Sequence, residues 1–71
     1  MRRKRVSSSA ISSVGYDEGS STLELEFKSG SVYDYYGVPP DVYQELMEAD
    51  SKGRFVSYNI KGRYPATRAG E

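Results

Sequence analysis

The chain of 71 residues contains no cysteine, no histidine and no tryptophan. Without cysteine, no disulfide can stabilise the thin core that a chain of this length buries. Cysteine and histidine are also the usual ligands of zinc, so we expect no metal site. The same two residue types commonly act as nucleophile and base, and no phosphate loop of the GxxxxGK type occurs. The composition therefore argues against an enzyme, and we expect neither catalysis nor a cofactor.

Long apolar runs are absent as well. No run approaches the roughly 20 residues that span a membrane, and a chain this short makes one domain. The lack of cysteine fits a reducing compartment. We therefore expect a monomeric cytoplasmic protein without membrane contact.

Charge is balanced in total but unevenly distributed along the chain. Residues 1–5 carry a net charge of +4, residues 6–51 carry −8 and residues 52–71 carry +4. A neutral total can hide a basic surface, so the usual argument against a nucleic-acid partner does not apply here.

The clearest strand pattern lies at residues 22–27, where apolar and acidic side chains alternate. The apolar face consists of Leu23, Leu25 and Phe27. Residues 28–30 form a three-residue hairpin loop that ends in glycine, the residue suited to an αL position. This loop pairs the strand with residues 31–35 and places Tyr33 and Tyr35 on the leucine face. A loop of two residues would bury Asp34 there without a partner, so we reject it.

An earlier strand is predicted over residues 10–16, although its apolar pattern is imperfect. Ile11 and Val14 lie three residues apart and cannot share a face of a regular strand. A bulge or bend near Gly15 would bring them to the same side.

Two helices follow the strands. Pro40 suits the first position of a helix, where its missing N–H has no cost. The inward stripe of this helix is Val42, Tyr43, Leu46 and Ala49, with Met47 on its flank. Asp50 and Ser51 interrupt the helix and can cap a second one, which ends before Gly62. The inward side of the second helix is Phe55, Val56, Asn59 and Ile60.

These elements predict an α+β domain over residues 9–65. A three-stranded antiparallel meander is followed by two helices packed on one face, in the order β-β-β-α-α. We expect residues 1–8 to form a disordered basic and serine-rich tail, and residues 66–71 to form a short C-terminal tail.

The second predicted helix carries a basic-aromatic face. Arg54, Tyr58 and Lys61 are spaced i, i+4 and i+7, so they share one side of the helix, and Arg63 follows at its end. Cations that flank an aromatic ring can bind phosphates while the ring stacks on a base, as in proteins that bind single-stranded RNA or DNA. A solvated basic face with no ligand is the alternative interpretation.

Tyr36 is the remaining candidate site residue. The chosen register directs it away from Tyr33 and Tyr35, and an exposed tyrosine on a sheet can stack on a base. A terminal segment such as residues 64–65 can equally cover it.

The succession of residues resembles a known family. The first motif is Ile11 followed by Val14-Gly15-Tyr16-Asp17, and the second is Leu23-x-Leu25-x-Phe27-x-x-Gly30-x-Val32-Tyr33-x-Tyr35. The third is Val38-Pro39-x-x-Val42-Tyr43-x-x-Leu46-x-x-Ala49-x-Ser51-x-Gly53, and the last is Phe55 with Asn59-Ile60-Lys61 and Tyr64-Pro65. This pattern resembles the KTSC domain, found at the C-terminus of some lysyl-tRNA synthetases and as free-standing small bacterial proteins. The resemblance covers residues 8–65. It implies no established activity, but the synthetase attachment suggests RNA binding.

The chain departs from the family pattern at two places. Position 61 is often arginine in the family and is lysine here, so a point charge replaces a bidentate fork. Many members also have an aromatic pair and asparagine where this chain has Phe55-Val56-Ser57.

Two functional hypotheses follow. The first is a non-catalytic domain that binds RNA, or another single-stranded nucleic acid, through Arg54, Tyr58, Lys61, Arg63 and Tyr36. The second is a protein–protein interaction module that acts through an unpaired sheet edge or the acidic middle of the chain.

Overall fold

A computed structural model describes residues 3–69 of the chain. The strands are β1 (Arg3–Arg5), β2 (Ile11–Asp17), β3 (Thr22–Phe27), β4 (Val32–Tyr35) and β5 (Ala66–Ala69), and the helices α1 (Pro40–Glu48) and α2 (Lys52–Asn59) lie between β4 and β5. All strand pairs are antiparallel, and the order across the sheet is the order along the chain. No helix within residues 3–69 is long and apolar enough to cross a membrane.

The α+β class is confirmed, but the prediction of three strands is wrong. Strand β1 pairs with β2, and β5 pairs with β4, so the two segments that we expected to be flexible tails extend the sheet on both sides. Both added strands are largely exposed and lack an apolar alternation that would reveal them in the sequence. They pair through backbone groups of β2 and β4 that would otherwise lie at open edges. The parts of the predicted tails at residues 1–2 and 70–71 lie outside the described residues.

The predicted hairpin between β3 and β4 is confirmed. Leu25 lies opposite Tyr33 and Leu23 lies opposite Tyr35. Gly30 has a φ of 98°, the left-handed conformation that the three-residue loop requires, and its N–H donates to the carbonyl of Phe27 at 2.9 Å. The loop therefore sets the register, and the register directs both tyrosines towards the helices.

The bulge in β2 lies earlier than predicted. The pairing shifts between Ile11 and Ser13, not near Gly15. The extra residue reverses the alternation of side chains ahead of Val14, so Ile11 and Val14 both point into the core and are almost fully buried.

Helix α1 packs its apolar stripe on the sheet. It begins with Pro40 as predicted, and Leu46 is fully buried. Tyr43 stacks on Tyr16 of β2 with ring centroids 4.8 Å apart. The hydroxyl of Tyr16 donates to the carbonyl of Val38, which ties β2 to the start of the helix.

Helix α2 lies close to the start of β2. The hydroxyl of Ser51 accepts a hydrogen bond from the backbone N–H of Arg54 at 3.3 Å, which confirms the predicted cap. A Cβ placed on Gly53 would lie only 2.9 Å from the Cβ of Ala10, so glycine permits this close approach. Val56 is buried in the core, but Asn59 is exposed, so its predicted inward position is wrong.

Candidate nucleic-acid interface

The exposed side of α2 borders a groove that we call the helix groove. It has a volume of about 450 Å³, and Arg54, Tyr58 and Lys61 line it. Phe27 of β3 and Ala10 contribute the opposite side. Tyr58 is 70% exposed, so it offers an open aromatic surface between two cations. The structure therefore brings together three of the five residues that the sequence singled out.

Lys61 lies at the boundary of two grooves. Its Nζ is 5.4 Å from the ring centroid of Phe27, within the range of a cation–π contact. The aromatic face holds the ammonium group near the protein while the side chain remains exposed to solvent. Lys61, Phe27 and Ala10 line the helix groove and also a second groove.

The second groove, which we call the tyrosine groove, has a volume of about 600 Å³. It lies beyond the end of α2, between the β3–β4 hairpin and the start of β5, and Tyr33, Tyr35 and Tyr64 line it. Tyr33 meets Phe27 edge to face, with ring centroids 6.0 Å apart and planes at 73°. The groove therefore presents several aromatic rings on one side of Lys61.

The tyrosines of β4 differ in exposure. Tyr35 is only 5% exposed, and burial raises the pKa of its phenol, with a further contribution from Tyr33. Tyr33 is half-buried and forms part of the groove wall. The interpretation of both rings as core residues therefore holds for Tyr35, whereas Tyr33 is only partly buried, and both rings line the groove.

The other two predicted site residues lie apart from this surface. Arg63 is exposed but lines neither groove. Tyr36 follows Tyr35 on the opposite face of the sheet, where its hydroxyl shares a hydrogen bond of 2.7 Å with the hydroxyl of Thr67. Its backbone N–H donates to the carbonyl of Pro65 at 2.9 Å. The structure does not bring Tyr36 together with the residues of α2.

Sequence reasoning missed the contribution of Phe27, Tyr33 and Tyr64 to this surface. One signal was available, since the hairpin register had already placed Phe27 and Tyr33 on the face that the helices cover. Helix α2 was also predicted to end before Gly62, which leaves the end of that face without a helix above it. The position of Tyr64 depends on the return of the chain into β5, which the sequence did not indicate.

The face of the sheet opposite the helices carries a pair of carboxylates. Glu24 lies directly opposite Asp34, and Oδ1 of Asp34 is buried without a hydrogen-bond partner. Burial raises the pKa of the Glu24 carboxyl above its usual value, Asp34 raises it further, and Arg3 acts in the opposite direction. When the Glu24 carboxyl is protonated, its O–H can donate a hydrogen bond to Asp34. Within residues 3–69 no three acidic side chains are arranged to hold a metal ion.

These features define a class of small α+β domain, in which two helices cover one face of an antiparallel sheet. The helix groove lies beside the second helix, and the tyrosine groove lies beyond its end. The chain belongs to the KTSC domain family, whose family model matches residues 7–64. A crystal structure of a KTSC domain protein from Yersinia pestis has a TM-score of 0.94 to this chain at 43% identity, and the match covers 97% of both chains.

Relatives of known sequence include both short proteins and parts of long ones. A protein of Tsukamurella paurometabola is 48% identical over 61 residues, which cover 86% of this chain and 91% of that protein. An uncharacterised protein of Stutzerimonas stutzeri is 45% identical over 64 residues, or 90% of each chain. A lysine–tRNA ligase of Nostoc punctiforme is 45% identical over 56 residues, which cover 79% of this chain but only 10% of the ligase.

Proposed function

We propose that this KTSC protein binds single-stranded RNA through the helix groove, without catalysing a reaction. The observation that carries the proposal is the placement of Arg54, Tyr58 and Lys61 along one groove. The two cations would contact successive phosphates, and the exposed ring of Tyr58 would stack on a base. Stacking on an aromatic side chain contributes about 1–3 kcal/mol per base.

The charge distribution supports this proposal. The described residues from 6 to 51 are strongly acidic, yet no acidic side chain lines either the helix groove or the tyrosine groove among the described residues. A phosphate backbone that lies in either groove would therefore meet cations and neutral groups. Clefts lined by one sign of charge concentrate ligands of the opposite sign.

Similarity to a lysine–tRNA ligase favours RNA over DNA. The similar segment makes up 10% of that enzyme, whose name states that it acts on tRNA. A domain that occurs in an enzyme acting on tRNA is well placed to bind RNA. The full enzyme's activity does not extend to this chain, which matches only that small part.

The test is the affinity for a fluorescently labelled single-stranded RNA, measured by anisotropy at several salt concentrations. Each phosphate contact contributes about 0.7 to the slope of log affinity against log salt for a single strand. We therefore expect the double variant Arg54→Ala with Lys61→Ala to lower the slope by about 1.4 and to weaken binding. Absence of binding at low salt, or an unchanged double variant, would refute the proposal.

Three single variants sharpen this test: Tyr58→Leu, Arg54→Ala and Arg63→Ala. Tyr58→Leu keeps an apolar side chain but removes the ring, so affinity should fall by roughly 5- to 150-fold with the salt slope unchanged. Arg63→Ala removes the same charge as Arg54→Ala outside both grooves and should have the smaller effect. Equal losses for the two arginines would indicate diffuse attraction in place of binding in the helix groove.

A protein–protein interaction module is the alternative proposal. The sheet does have two edge strands, but β1 is Arg3-Lys4-Arg5 and β5 contains Arg68, and charged side chains at an edge discourage the addition of another strand. The acidic face around Glu24 is the other candidate surface. Light scattering and capture of partners from nuclease-treated lysate separate the two functions, because a protein partner survives the nuclease.

A further inference from the structure

We propose that the tyrosine groove accepts one unstacked nucleotide of the bound strand, with its base against Tyr33 and Tyr64 and its phosphate at Lys61. This inference rests on the proposed function and extends it from the helix groove to a second, separate subsite.

The dimensions and lining of the tyrosine groove fit a planar ligand. Its volume of about 600 Å³ lies within the roughly 300–1,000 Å³ of small-molecule sites. Tyr33 and Tyr64 are half-buried, so part of each ring remains accessible. Aromatic side chains of this kind are the platforms on which proteins stack splayed bases.

Polar groups in the groove favour a base over an apolar side chain. Ser29 and Ser31 both line the groove, and the hydroxyl of Ser31 accepts a hydrogen bond from Arg68 at 3.3 Å. Hydroxyl groups both donate and accept hydrogen bonds, so they can pair with the polar edges of a base.

Lys61 links the two grooves. Because it lines both, a strand that follows α2 from Arg54 reaches Lys61 at the mouth of the tyrosine groove. The ammonium group lies 5.4 Å from the centroid of the Phe27 ring, and Phe27 also lines both grooves. A phosphate at Lys61 would therefore have a base in the helix groove on one side and a base in the tyrosine groove on the other.

The experiment uses a groove-filling variant and a matched control. Ala66 lies opposite Tyr35 and lines the tyrosine groove, whereas its neighbour Thr67 lies opposite Asp34 on the other face of the sheet. Ala66→Ile should fill the groove, and Thr67→Ile introduces the same side chain one residue away on the far face. Both positions are exposed, and isoleucine is favourable in a strand, so both variants should fold. Tyr64→Leu provides an independent removal of the ring.

Two ligands distinguish the binding of a nucleotide within an RNA strand from the binding of a free nucleotide. The first is a labelled single-stranded RNA followed by anisotropy, and the second is adenosine or uridine 5′-monophosphate followed by NMR of the tyrosine ring protons. We expect saturable shifts of Tyr33 and Tyr64 with monophosphate. We also expect a loss of RNA affinity of roughly 5- to 150-fold for Ala66→Ile and for Tyr64→Leu, with wild-type behaviour for Thr67→Ile.

Several results would overturn the inference. If RNA binds Ala66→Ile and Tyr64→Leu as tightly as wild type but still requires Arg54, the proposed function stands. The tyrosine groove then holds no nucleotide of the bound strand, and the inference is refuted. If a monophosphate saturates the tyrosine groove but RNA does not bind at all, two proposals are refuted. These are the binding of RNA in the helix groove and the binding of a nucleotide of that strand in the tyrosine groove. Ring shifts induced by a leucine-rich peptide but by neither monophosphate would assign the groove to a protein partner.

Discussion

Replacing Glu24 with glutamine should stabilise the protein at neutral pH. The carboxylate of Glu24 lies directly across from Asp34, and Oδ1 of Asp34 is buried without a hydrogen-bond partner. Glutamine removes the repulsion between two like charges and brings an amide that can donate to Asp34. The substitution is nearly isosteric, so the packing of the sheet should not change.

The size of this effect follows from its separate contributions. Like charges directly opposite each other on adjacent strands destabilise by about 0.2–1 kcal/mol. A donor for a buried acceptor contributes about 1 kcal/mol, while the lost attraction between Arg3 and Glu24 offsets part of the gain. We expect a net increase of about 0.5–1 kcal/mol in the free energy of unfolding, or roughly 3–6 °C in melting temperature for a domain of this size.

The pH dependence gives the sharper test. Because the pKa of Glu24 in the folded protein is raised above 4.5, the folded state takes up a proton before the unfolded state as the pH falls. The destabilisation by ionised Glu24 is therefore full at neutral pH and disappears as the pH falls through the raised pKa towards 4.5. The advantage of Glu24→Gln should be large at neutral pH and small near pH 4.

Thermal unfolding followed by circular dichroism at both pH values measures this difference. Glu26→Gln is the matched control, because Glu26 lies on the same strand and face but accepts a hydrogen bond of 2.8 Å from the hydroxyl of Ser13. It should not stabilise the protein. Equal melting temperatures for wild type and Glu24→Gln at neutral pH, or an advantage that persists unchanged near pH 4, would refute the reasoning.

Three other changes test the packing around the grooves. Gly53→Ala should lower the free energy of unfolding, measured in urea, by about 1–3 kcal/mol, because the added Cβ would collide with Ala10. This loss is expected although alanine has the better helix propensity. Adding Ala10→Gly should restore most of the lost stability. Ser51→Ala should lower the free energy of unfolding by about 1 kcal/mol, since it removes the hydroxyl that caps α2. Deletion of residues 66–71 should speed amide hydrogen exchange in β4, because β5 then no longer covers that edge.

Each of these has a result that contradicts it. A fully stable Gly53→Ala would show that α2 can move away from Ala10 without cost. A neutral Ser51→Ala would mean that water replaces the cap. Unchanged exchange in β4 after the deletion would show that β5 contributes no protection to its neighbour.

The parts of the fold that were predicted correctly depend on short stretches of chain. The bounds of β3 and its pairing with β4 follow from an alternating segment and a three-residue loop with Gly30 at its end. The start of α1 follows from Pro40, and the cap of α2 follows from Ser51. In each case the residues that specify the structure lie within a few positions of the element itself.

Elements with weak local signals were predicted less well. The bulge in β2 was expected near Gly15 but lies at Ser12, because the pairing of the whole strand with β3 decides where an extra residue fits. Asn59 was placed inward by helical spacing, although α2 ends there and the chain turns. Periodicity assumes that an element continues regularly, and both errors arise where it does not.

For the candidate site as well, local spacing predicted the residues on one helix face and missed the rest of the surface. Helical spacing alone placed Arg54, Tyr58 and Lys61 on one side of the predicted second helix. The structure shows all three along one groove, although α2 ends at Asn59 and Lys61 lies two residues beyond it. The same spacing argument could not show that Tyr36 lies on the far face of the sheet beside Thr67, or that Arg63 lines neither groove. The second half of the surface, with Tyr33 and Tyr64, was not predicted as a site.

The sequence by itself determined the hairpin register, the two helices and the basic-aromatic side of α2, because turn residues, caps and apolar spacing act over a few residues. Only the tertiary structure decided that residues 3–5 and 66–69 complete the sheet, since their pairing uses backbone groups and leaves no side-chain pattern. It also decided the grooves, which depend on how closely α2 approaches Ala10 and on where the chain returns after Gly62. Such distances between remote segments are set by the packing of the whole core, and no local motif records them.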